Sequence, residues 1–129
     1  MTYIAGTDGY LPPEVIQFKS TPSINLAYDP KKVDVFTMGE VLFFIAFGQP
    51  PFKKATCDDA YYSLIMQGKY NKFFTVHPAT KGIGEINEDL KRVIIMCLLP
   101  FPEDRASIND LMTCRFVSDQ NIKFTNVIR

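Results

Sequence analysis

One segment, from Val33 to Gly48, constrains the fold more than any other part of the chain. Its sequence, VDVFTMGEVLFFIAFG, is apolar in every helical projection and is interrupted only by Asp34, Thr37 and Glu40. A helix with this pattern has no polar face to present to water. The segment therefore predicts a central helix that is surrounded by protein.

Residues at both ends of this segment have the types that begin and end α-helices. Asp29 supplies a capping carboxylate and Pro30 suits a first helical turn, while Gly48 and the prolines beyond it form a stop signal. Asp34 lies near the start, and a buried carboxylate without a partner costs on the order of several kcal/mol. The residues leave two alternatives open for it: a surface position near the helix dipole, or a buried position with hydrogen-bond donors.

Chain length and charge indicate one ordinary globular domain. With 129 residues, the chain can form a single core over residues 1–129. The 14 basic residues balance 14 acidic ones and 47% of the residues are hydrophobic, which excludes a disordered composition. The balanced charge gives no basic footprint, so no nucleic-acid partner is expected.

The sequence also predicts where the protein resides. Its longest uninterrupted apolar run, residues 41–47, is far shorter than the roughly 20 residues of a membrane span, so no span is expected. Residues 1–6 lack the pattern of a secretory signal, and the three cysteines show no paired metal-ligand spacing. These features predict an intracellular, cytoplasmic protein with reduced thiols. His77 has no second histidine and no cysteine nearby, which favours a loop or surface residue.

Shorter helices are predicted on both sides of the central one. Residues 14–18 can form a short helix before a polar surface excursion. Thr56 and Asp59 have the spacing of a capping box, and Gly68 would end the helix that follows. Residues 70–84 then read as a long connection that Phe73 and Phe74 attach to the core.

Two further helices are predicted toward the C-terminus. Asn87 is a cap for an amphipathic helix that Pro100 stops, and Ser107 with Asp110 forms a second capping box. The sequence contains no convincing alternating strand, no internal repeat and no low-complexity tract. The predicted fold class is therefore mainly α-helical.

Three stretches, in this order, resemble the C-terminal part of the large lobe of a eukaryotic protein kinase. GTDGYLPPE at 6–14 is similar to the Gly-Thr-x-x-Tyr-x-Ala-Pro-Glu end of the activation segment. DVFTMG at 34–39 with GQPPF at 48–52 is similar to Asp-Val-Trp-Ser-Leu-Gly and Gly-x-x-Pro-Phe, and PEDRAS at 102–107 resembles the closing Asp-Pro-x-x-Arg-x-Ser/Thr element. The resemblance covers nearly the whole chain. It implies the helical C-terminal subdomain of a protein-kinase-like fold, present here in incomplete form.

This resemblance implies structural roles for three charged residues. In the family, the glutamate of Ala-Pro-Glu pairs with the arginine of the last element, which implies a buried ion pair between Glu14 and Arg105. The aspartate of the central helix holds the backbone of the catalytic loop, which implies that Asp34 is a catalytic-loop anchor. Without the resemblance, Glu14 and Arg105 would be two unrelated surface charges.

The resemblance also implies a substrate class. Serine/threonine kinases carry Gly-Thr at the position of Gly6 and Thr7, where the threonine contacts the catalytic groups, so serine/threonine specificity is implied. Tyr10 and Leu11 would belong to the same peptide-substrate loop. The stretch from the Tyr61-Tyr62 pair to the Phe73-Phe74 pair resembles the calcium/calmodulin-dependent-type branch.

The sequence departs from the family pattern at several positions. Pro12 replaces the usual alanine, Phe36 the usual tryptophan, and Phe101 the aspartate before Pro102. The stretch from Glu14 to Asp34 is longer than usual, which indicates a surface insertion somewhere between Phe18 and Tyr28. These changes of volume or cap are compatible with the family.

The motifs that transfer phosphate are not found in the sequence. Phosphoryl transfer in protein kinases uses a Gly-rich loop, a strand lysine, a His-Arg-Asp-type catalytic loop and an Asp-Phe-Gly magnesium site, all upstream of Gly-Thr. The complete kinase would use ATP and Mg²⁺ and act on a protein or peptide substrate. This chain alone is expected to need no cofactor and to be inactive without an upstream kinase region.

Three interpretations follow from the sequence. The chain is a fragment of a serine/threonine kinase, or a non-catalytic kinase-like module that binds a protein or peptide, or an unrelated helical domain. The ordered motifs favour the first interpretation. A genuine start at Met1 would favour the second.

Overall fold

The computed structural model describes residues 11–20 and 29–113, which are mainly helical. The helices are α1 (Pro13–Ser20), α2 (Pro30–Phe47), α3 (Tyr62–Met66), α4 (Tyr70–Val76), α5 (Glu88–Leu98) and α6 (Ile108–Thr113), with a 3₁₀ turn at Pro102–Asp104. The described part of the chain contains no β-strand. The mainly α-helical class predicted from the sequence is therefore confirmed.

The predicted ends of the central helix are confirmed. The Asp29 side chain accepts a hydrogen bond from the Lys31 backbone N–H at 2.9 Å, and Pro30 occupies the first turn of α2. At the other end, Gly48 adopts a left-handed conformation with φ of 82° and donates its N–H to the Phe44 carbonyl at 2.7 Å. A side chain is disfavoured at this φ, which is why glycine ends the helix here.

The core is built where α2 packs against α5 and the segments that follow α2. Phe43 lies at its centre, with ring centroids 5.7 Å from Phe73 and 4.7 Å from Phe47. Fully buried side chains of this size each contribute about 1.5–3 kcal/mol to folding. The largest of them are Tyr62, Phe36, Phe43, Phe73, Ile65, Ile94 and Leu98.

At Gly39, α2 and α5 approach each other closely. A Cβ atom at this position would lie 2.6 Å from the Cys97 Cβ and 3.0 Å from the Leu98 Cδ2. Real Cβ atoms do not approach one another this closely, so any side chain at position 39 would push the two helices apart. Glycine is present here because of packing.

Gly39→Val is expected to lower the free energy of unfolding by about 1–3 kcal/mol, because valine overpacks the α2–α5 contact. Urea denaturation followed by circular dichroism measures the effect. Gly84→Val is the matched control, since a Cβ at Gly84 meets no atom within 4 Å. Equal stabilities for the two variants would contradict the close approach.

One face of α2 differs from the prediction of a helix surrounded by protein. Met38, Val41 and Phe44 are 42%, 46% and 50% exposed, and the Asp34 and Ile45 side chains are exposed as well. The prediction of complete burial is wrong for this face, because no described residue packs over it. Asp34 avoids the cost of burial by lying in solvent.

The capping box predicted at Thr56 is wrong. Asp59 provides the cap instead: its Oδ1 accepts the N–H groups of Tyr61 and Tyr62 at 2.9 and 3.0 Å. Its Oδ2 accepts the N–H groups of Lys53 and Lys54 at 3.0 and 3.1 Å. One carboxylate thus starts α3 and fixes the turn after α2, and α3 begins later than the Thr56 box implied.

The connection predicted over residues 70–84 contains helix α4. Its two phenylalanines, Phe73 and Phe74, are buried as the sequence suggested, but they lie on a helical turn that packs against the α2 core. Lys69 at its start provides no side-chain cap. Packing of the apolar side chains, rather than a capping signal, accounts for this helix.

His77 lies in the loop after α4, in agreement with the loop alternative of the prediction, but it is buried and not at the surface. Its Nε2 lies 2.9 Å from the Pro51 carbonyl oxygen, and its Nδ1 accepts the Ala79 N–H at 2.9 Å. These partners assign the neutral ring with the proton on Nε2. Burial lowers the pKa of His77, although hydrogen bonds to backbone carbonyls oppose the change.

The two C-terminal caps predicted from the sequence are confirmed. Asn87 accepts the Leu90 N–H at 3.1 Å and starts α5. Ser107 Oγ accepts the Asp110 N–H, and Asp110 Oδ2 accepts the Ser107 N–H, each at 3.0 Å. This reciprocal pair is a capping box that starts α6.

Candidate functional site

Arg105 is held in place by the short turn that precedes it. The 3₁₀ turn ends as the Arg105 N–H bonds the Pro102 carbonyl, and the next N–H, of Ala106, bonds the Met96 carbonyl on α5. The backbone is therefore fixed on both sides of residue 105. This arrangement directs the guanidinium toward the N-terminal ends of α1 and α2.

The guanidinium of Arg105 forms a bidentate ion pair with Glu14 on α1. Nη1 lies 2.7 Å from Oε2 and Nη2 lies 2.6 Å from Oε1. The Arg105 side chain is 0% exposed and that of Glu14 is 15% exposed. Two parallel charge-assisted hydrogen bonds of this length fix both distance and orientation.

Further acceptors satisfy the rest of the guanidinium. Nε donates to the Leu99 carbonyl at 2.7 Å, Nη1 to the Lys32 carbonyl at 3.2 Å, and Nη2 to the Pro100 carbonyl at 3.3 Å. The Arg105 group also lies 4.8 Å from the centre of the Phe36 ring, within the range of a cation–π interaction. One side chain therefore joins α1, α2 and the end of α5.

The segment before α1 is attached to the same region. Pro12 accepts the N–H groups of Val15 and Ile16 at 3.1 Å each, which starts α1. Leu11, Val15 and Val33 form a small buried cluster between α1 and α2. The chain just before Glu14 therefore has a fixed position relative to α2.

The remaining residues predicted to be functional fall into three groups. Gly6, Thr7 and Tyr10 lie outside the described residues. Leu11 is buried beside α1, and Asp34 is exposed on α2, in the turn that follows the Lys32 carbonyl bound by Arg105. The structure thus brings Glu14 and Arg105 together and leaves Asp34 facing solvent.

Glu40 is a site residue that sequence reasoning did not select. The residue is 3% exposed, and its Oε1 has no hydrogen-bond partner among the residues the structure describes. Burial raises the pKa of Glu40 to about 8. The available signal was a carboxylate inside an apolar helix, but the sequence did not distinguish Glu40 from the exposed Asp34.

Comparison with known proteins establishes the family of this chain. The chain matches the protein kinase domain over residues 1–117. It belongs to the protein kinase family. The fold and the ordered motifs of this kinase segment agree with the resemblance seen in the sequence.

Curated relatives of the kinase segment are serine/threonine-protein kinases. STE20 of Saccharomyces cerevisiae is 28% identical over 118 residues, covering 92% of this chain and 11% of STE20. Probable mps1 of Dictyostelium discoideum is 32% identical over 84 residues, 65% of this chain and 8% of that protein. Polo of Drosophila melanogaster is 27% identical over 119 residues, 92% of this chain and 17% of polo. The chain therefore spans about 8–17% of the length of these serine/threonine kinases, and the calcium/calmodulin-dependent branch stays a prediction.

Protein kinases use ATP and Mg²⁺, and carboxylate oxygens are the protein ligands that Mg²⁺ prefers. Across residues 11–20 and 29–113, no three His, Cys, Asp or Glu side chains converge where a metal ion could bind. Residues 11–20 and 29–113 therefore do not form a magnesium site by themselves. In the same part of the chain, none of the helices has the length and apolar character needed to cross a bilayer.

Proposed function

We propose that this chain is the substrate-side, C-terminal portion of a serine/threonine kinase domain. In its complete form, that kinase would transfer the γ-phosphate of ATP to serine or threonine hydroxyls of proteins. The observation that carries the proposal is the protein kinase match over residues 1–117. Since the chain spans only 8–17% of the relatives named above, activity and substrate are inferred for the whole protein.

In this proposal, the residues before α1 present the peptide substrate. Gly6, Thr7, Tyr10 and Leu11 would form the peptide-substrate loop, with Thr7 contacting the catalytic groups. Support comes from the burial of Leu11 with Val15 and Val33, which attaches the end of this loop to α2. The Glu14–Arg105 pair would hold the same loop against the helical subdomain.

Asp34 would anchor the catalytic loop supplied by an upstream kinase region. Its carboxylate is exposed on the face of α2 that also carries Met38 and Val41. A carboxylate beside apolar side chains suits a backbone segment that buries its own apolar residues and donates N–H groups. The catalytic loop would therefore cover this face.

The isolated chain would not transfer phosphate. The transfer requires groups that position ATP, hold Mg²⁺ and accept the hydroxyl proton. The sequence contains no Gly-rich nucleotide loop, no His-Arg-Asp-type loop and no Asp-Phe-Gly element. Residues that present a peptide do not replace these groups.

A chimeric kinase tests the proposal. The segment of Saccharomyces cerevisiae STE20 that aligns with this chain is replaced by the chain itself. Transfer of radiolabelled phosphate from ATP to a serine-containing protein is then measured for the chimera and for the 129-residue chain. We expect transfer by the chimera and none by the isolated chain.

Variants at Thr7 provide the matched control. Thr7→Ala should lower the activity of the chimera by about tenfold or more, because it removes a contact that positions catalytic groups, whereas Thr7→Ser keeps the hydroxyl. Phosphate transfer by the isolated chain, abolished by a substitution within it, would refute the proposed role. A folded chimera that is inactive, or one indifferent to Thr7→Ala, would also count against it.

A further inference from the structure

The turn between α2 and α3 carries a threonine whose hydroxyl makes no hydrogen bond to the residues that the structure describes. That residue is Thr56, which the sequence suggested as a cap and which Asp59 replaces in that role. Every other serine or threonine hydroxyl with a described side chain takes part in a hydrogen bond. These are the hydroxyls of Thr37, Ser63, Thr75, Thr80 and Ser107. Thr56 is partly exposed, so no acceptor within the described fold competes for its hydroxyl.

The backbone around Thr56 is irregular but held in place. Residues 53–58 form no helix. The Thr56 N–H donates to the Lys54 carbonyl at 2.9 Å, and the Thr56 carbonyl accepts the Asp59 N–H at 3.1 Å. Ala55, just before it, is buried in the main core cluster. Thr56 is therefore presented on a surface turn outside any helix, where modifying enzymes find their acceptors.

Charged residues flank the hydroxyl unequally. Lys53 and Lys54, three and two positions before Thr56, are both exposed. The carboxylate of Asp59, three positions after it, already accepts the backbone N–H groups of Lys53, Lys54, Tyr61 and Tyr62. A basic enzyme cleft could use Asp59 only by breaking these bonds, whereas an acidic cleft can pair directly with the two ammonium groups. Charge complementarity therefore favours an enzyme with an acidic cleft.

We propose that Thr56 is a phosphorylation site for a kinase that selects basic residues ahead of its acceptor. In the reaction, Thr56 Oγ1 forms a bond to the γ-phosphorus of ATP, and the bond from that phosphorus to the β–γ bridging oxygen breaks. ADP leaves with the bridging oxygen, and the hydroxyl proton passes to the catalytic base of the modifying kinase. That kinase is a separate enzyme, so the inference does not depend on the function proposed above for this chain.

The added phosphate acts on Asp59. A phosphothreonine carries a charge of about −1.5 to −2 at pH 7. Because Thr56 and Asp59 are joined in one turn, this charge repels the Asp59 carboxylate and weakens the four N–H bonds that it accepts. Two of those bonds start α3 and two fix the turn at Lys53 and Lys54. Phosphorylation therefore loosens the connection between α2 and α3.

Phosphorylation of the folded 129-residue chain in vitro tests the proposal. The probes are ATP with the catalytic subunit of cAMP-dependent protein kinase, which selects basic residues before its acceptor, and ATP with casein kinase II, which selects acidic residues after it. Tandem mass spectrometry measures the phosphate at Thr56 over time. We expect the first enzyme to modify Thr56 at least about tenfold faster than the second.

A variant without the two lysines tests the role of charge. The double substitution Lys53→Met and Lys54→Met should lower the rate at Thr56 by about tenfold or more, because the ion pairs with the acidic cleft are lost. The backbone N–H groups that bind Asp59 remain, and circular dichroism checks that the variant is folded. An unchanged rate in the folded variant, no phosphate at Thr56, or faster modification by casein kinase II would each overturn the proposal.

Thr75 is the matched acceptor within the same chain. Lys72 also lies three positions before it, but the Thr75 hydroxyl donates to the Asn71 carbonyl at 2.8 Å within α4. We therefore expect Thr75 to gain phosphate at least about tenfold more slowly than Thr56. Equal rates at the two threonines would mean that the free hydroxyl and the irregular turn do not select the site, and would overturn the proposal.

Amide hydrogen exchange tests the effect on Asp59. In the phosphorylated chain, the four N–H groups bound by the Asp59 carboxylate should exchange about tenfold faster than in the unmodified chain. The Leu90 N–H, which Asn87 caps on α5, is the control and should be unchanged. Phosphorylation at Thr56 without faster exchange at these four groups would refute the coupling to Asp59.

Discussion

Arg105→Met is expected to lower the free energy of unfolding by about 3–5 kcal/mol, the usual cost of breaking a buried ion pair by removing one partner. The loss is large because methionine fills the space but leaves Glu14 without its two guanidinium hydrogen bonds. The carbonyls of Leu99 and Lys32 lose a donor as well. Urea denaturation followed by circular dichroism gives the change.

Arg92→Met is the matched control for this experiment. Arg92 also forms an ion pair, with Asp89 at 3.0 Å, but the two side chains are 62% and 35% exposed. Solvent screens such a pair, so its loss should change stability by less than about 1 kcal/mol. Similar small losses for Arg92→Met and Arg105→Met would show that burial adds nothing to the Glu14–Arg105 pair.

Raising the pH from about 5 to 8 is expected to destabilise the folded chain by about 4 kcal/mol through Glu40. The ordinary carboxyl pKa of 4.5 applies in the unfolded chain, whereas burial raises it to about 8 in the fold. In this range the folded state keeps a proton that the unfolded state has lost. The stabilising contribution is therefore fully present below pH 4.5 and disappears as the pH rises through 8.

Urea midpoints measured at several pH values, for the native chain and for Glu40→Gln, test this expectation. The amide cannot ionise, so the variant should lose most of the decline above pH 5 and be the more stable protein at pH 8. His77 acts in the opposite direction and in a lower range: burial lowers its pKa, so its contribution disappears as the pH falls below 6.5. Parallel pH profiles for the two proteins would mean that Glu40 ionises normally in the fold.

Local signals in the sequence predicted the parts of the fold that depend on neighbouring residues. The Ser107–Asp110 capping box, the Asn87 cap and the Asp29–Pro30 start of α2 each involve atoms only a few positions apart. Such short-range hydrogen bonds can be read from residue types and spacing. The prediction of a cap at Thr56 was wrong because Asp59, in the same stretch, also accepts hydrogen bonds from the turn at Lys53 and Lys54.

Features that depend on distant partners could not be predicted in this way. His77 is buried because the Pro51 carbonyl, 26 positions away, accepts from its ring. Helix α4 forms because Phe73 and Phe74 pack on α2. It has no side-chain cap from which the sequence could have predicted it. Glu14 and Arg105 were expected to pair only from the resemblance to kinases, since no local pattern connects residues 91 positions apart.

The Glu14–Arg105 pair has a consequence for how this sequence can evolve. Because each side chain satisfies a charge that the other would leave buried, a substitution at either position alone produces a poorly folded intermediate. Replacement of both by apolar residues can be nearly neutral, but it requires two changes at once. Selection for stability should therefore conserve Glu14 and Arg105 as a pair, while exposed residues such as Arg92 can be substituted independently.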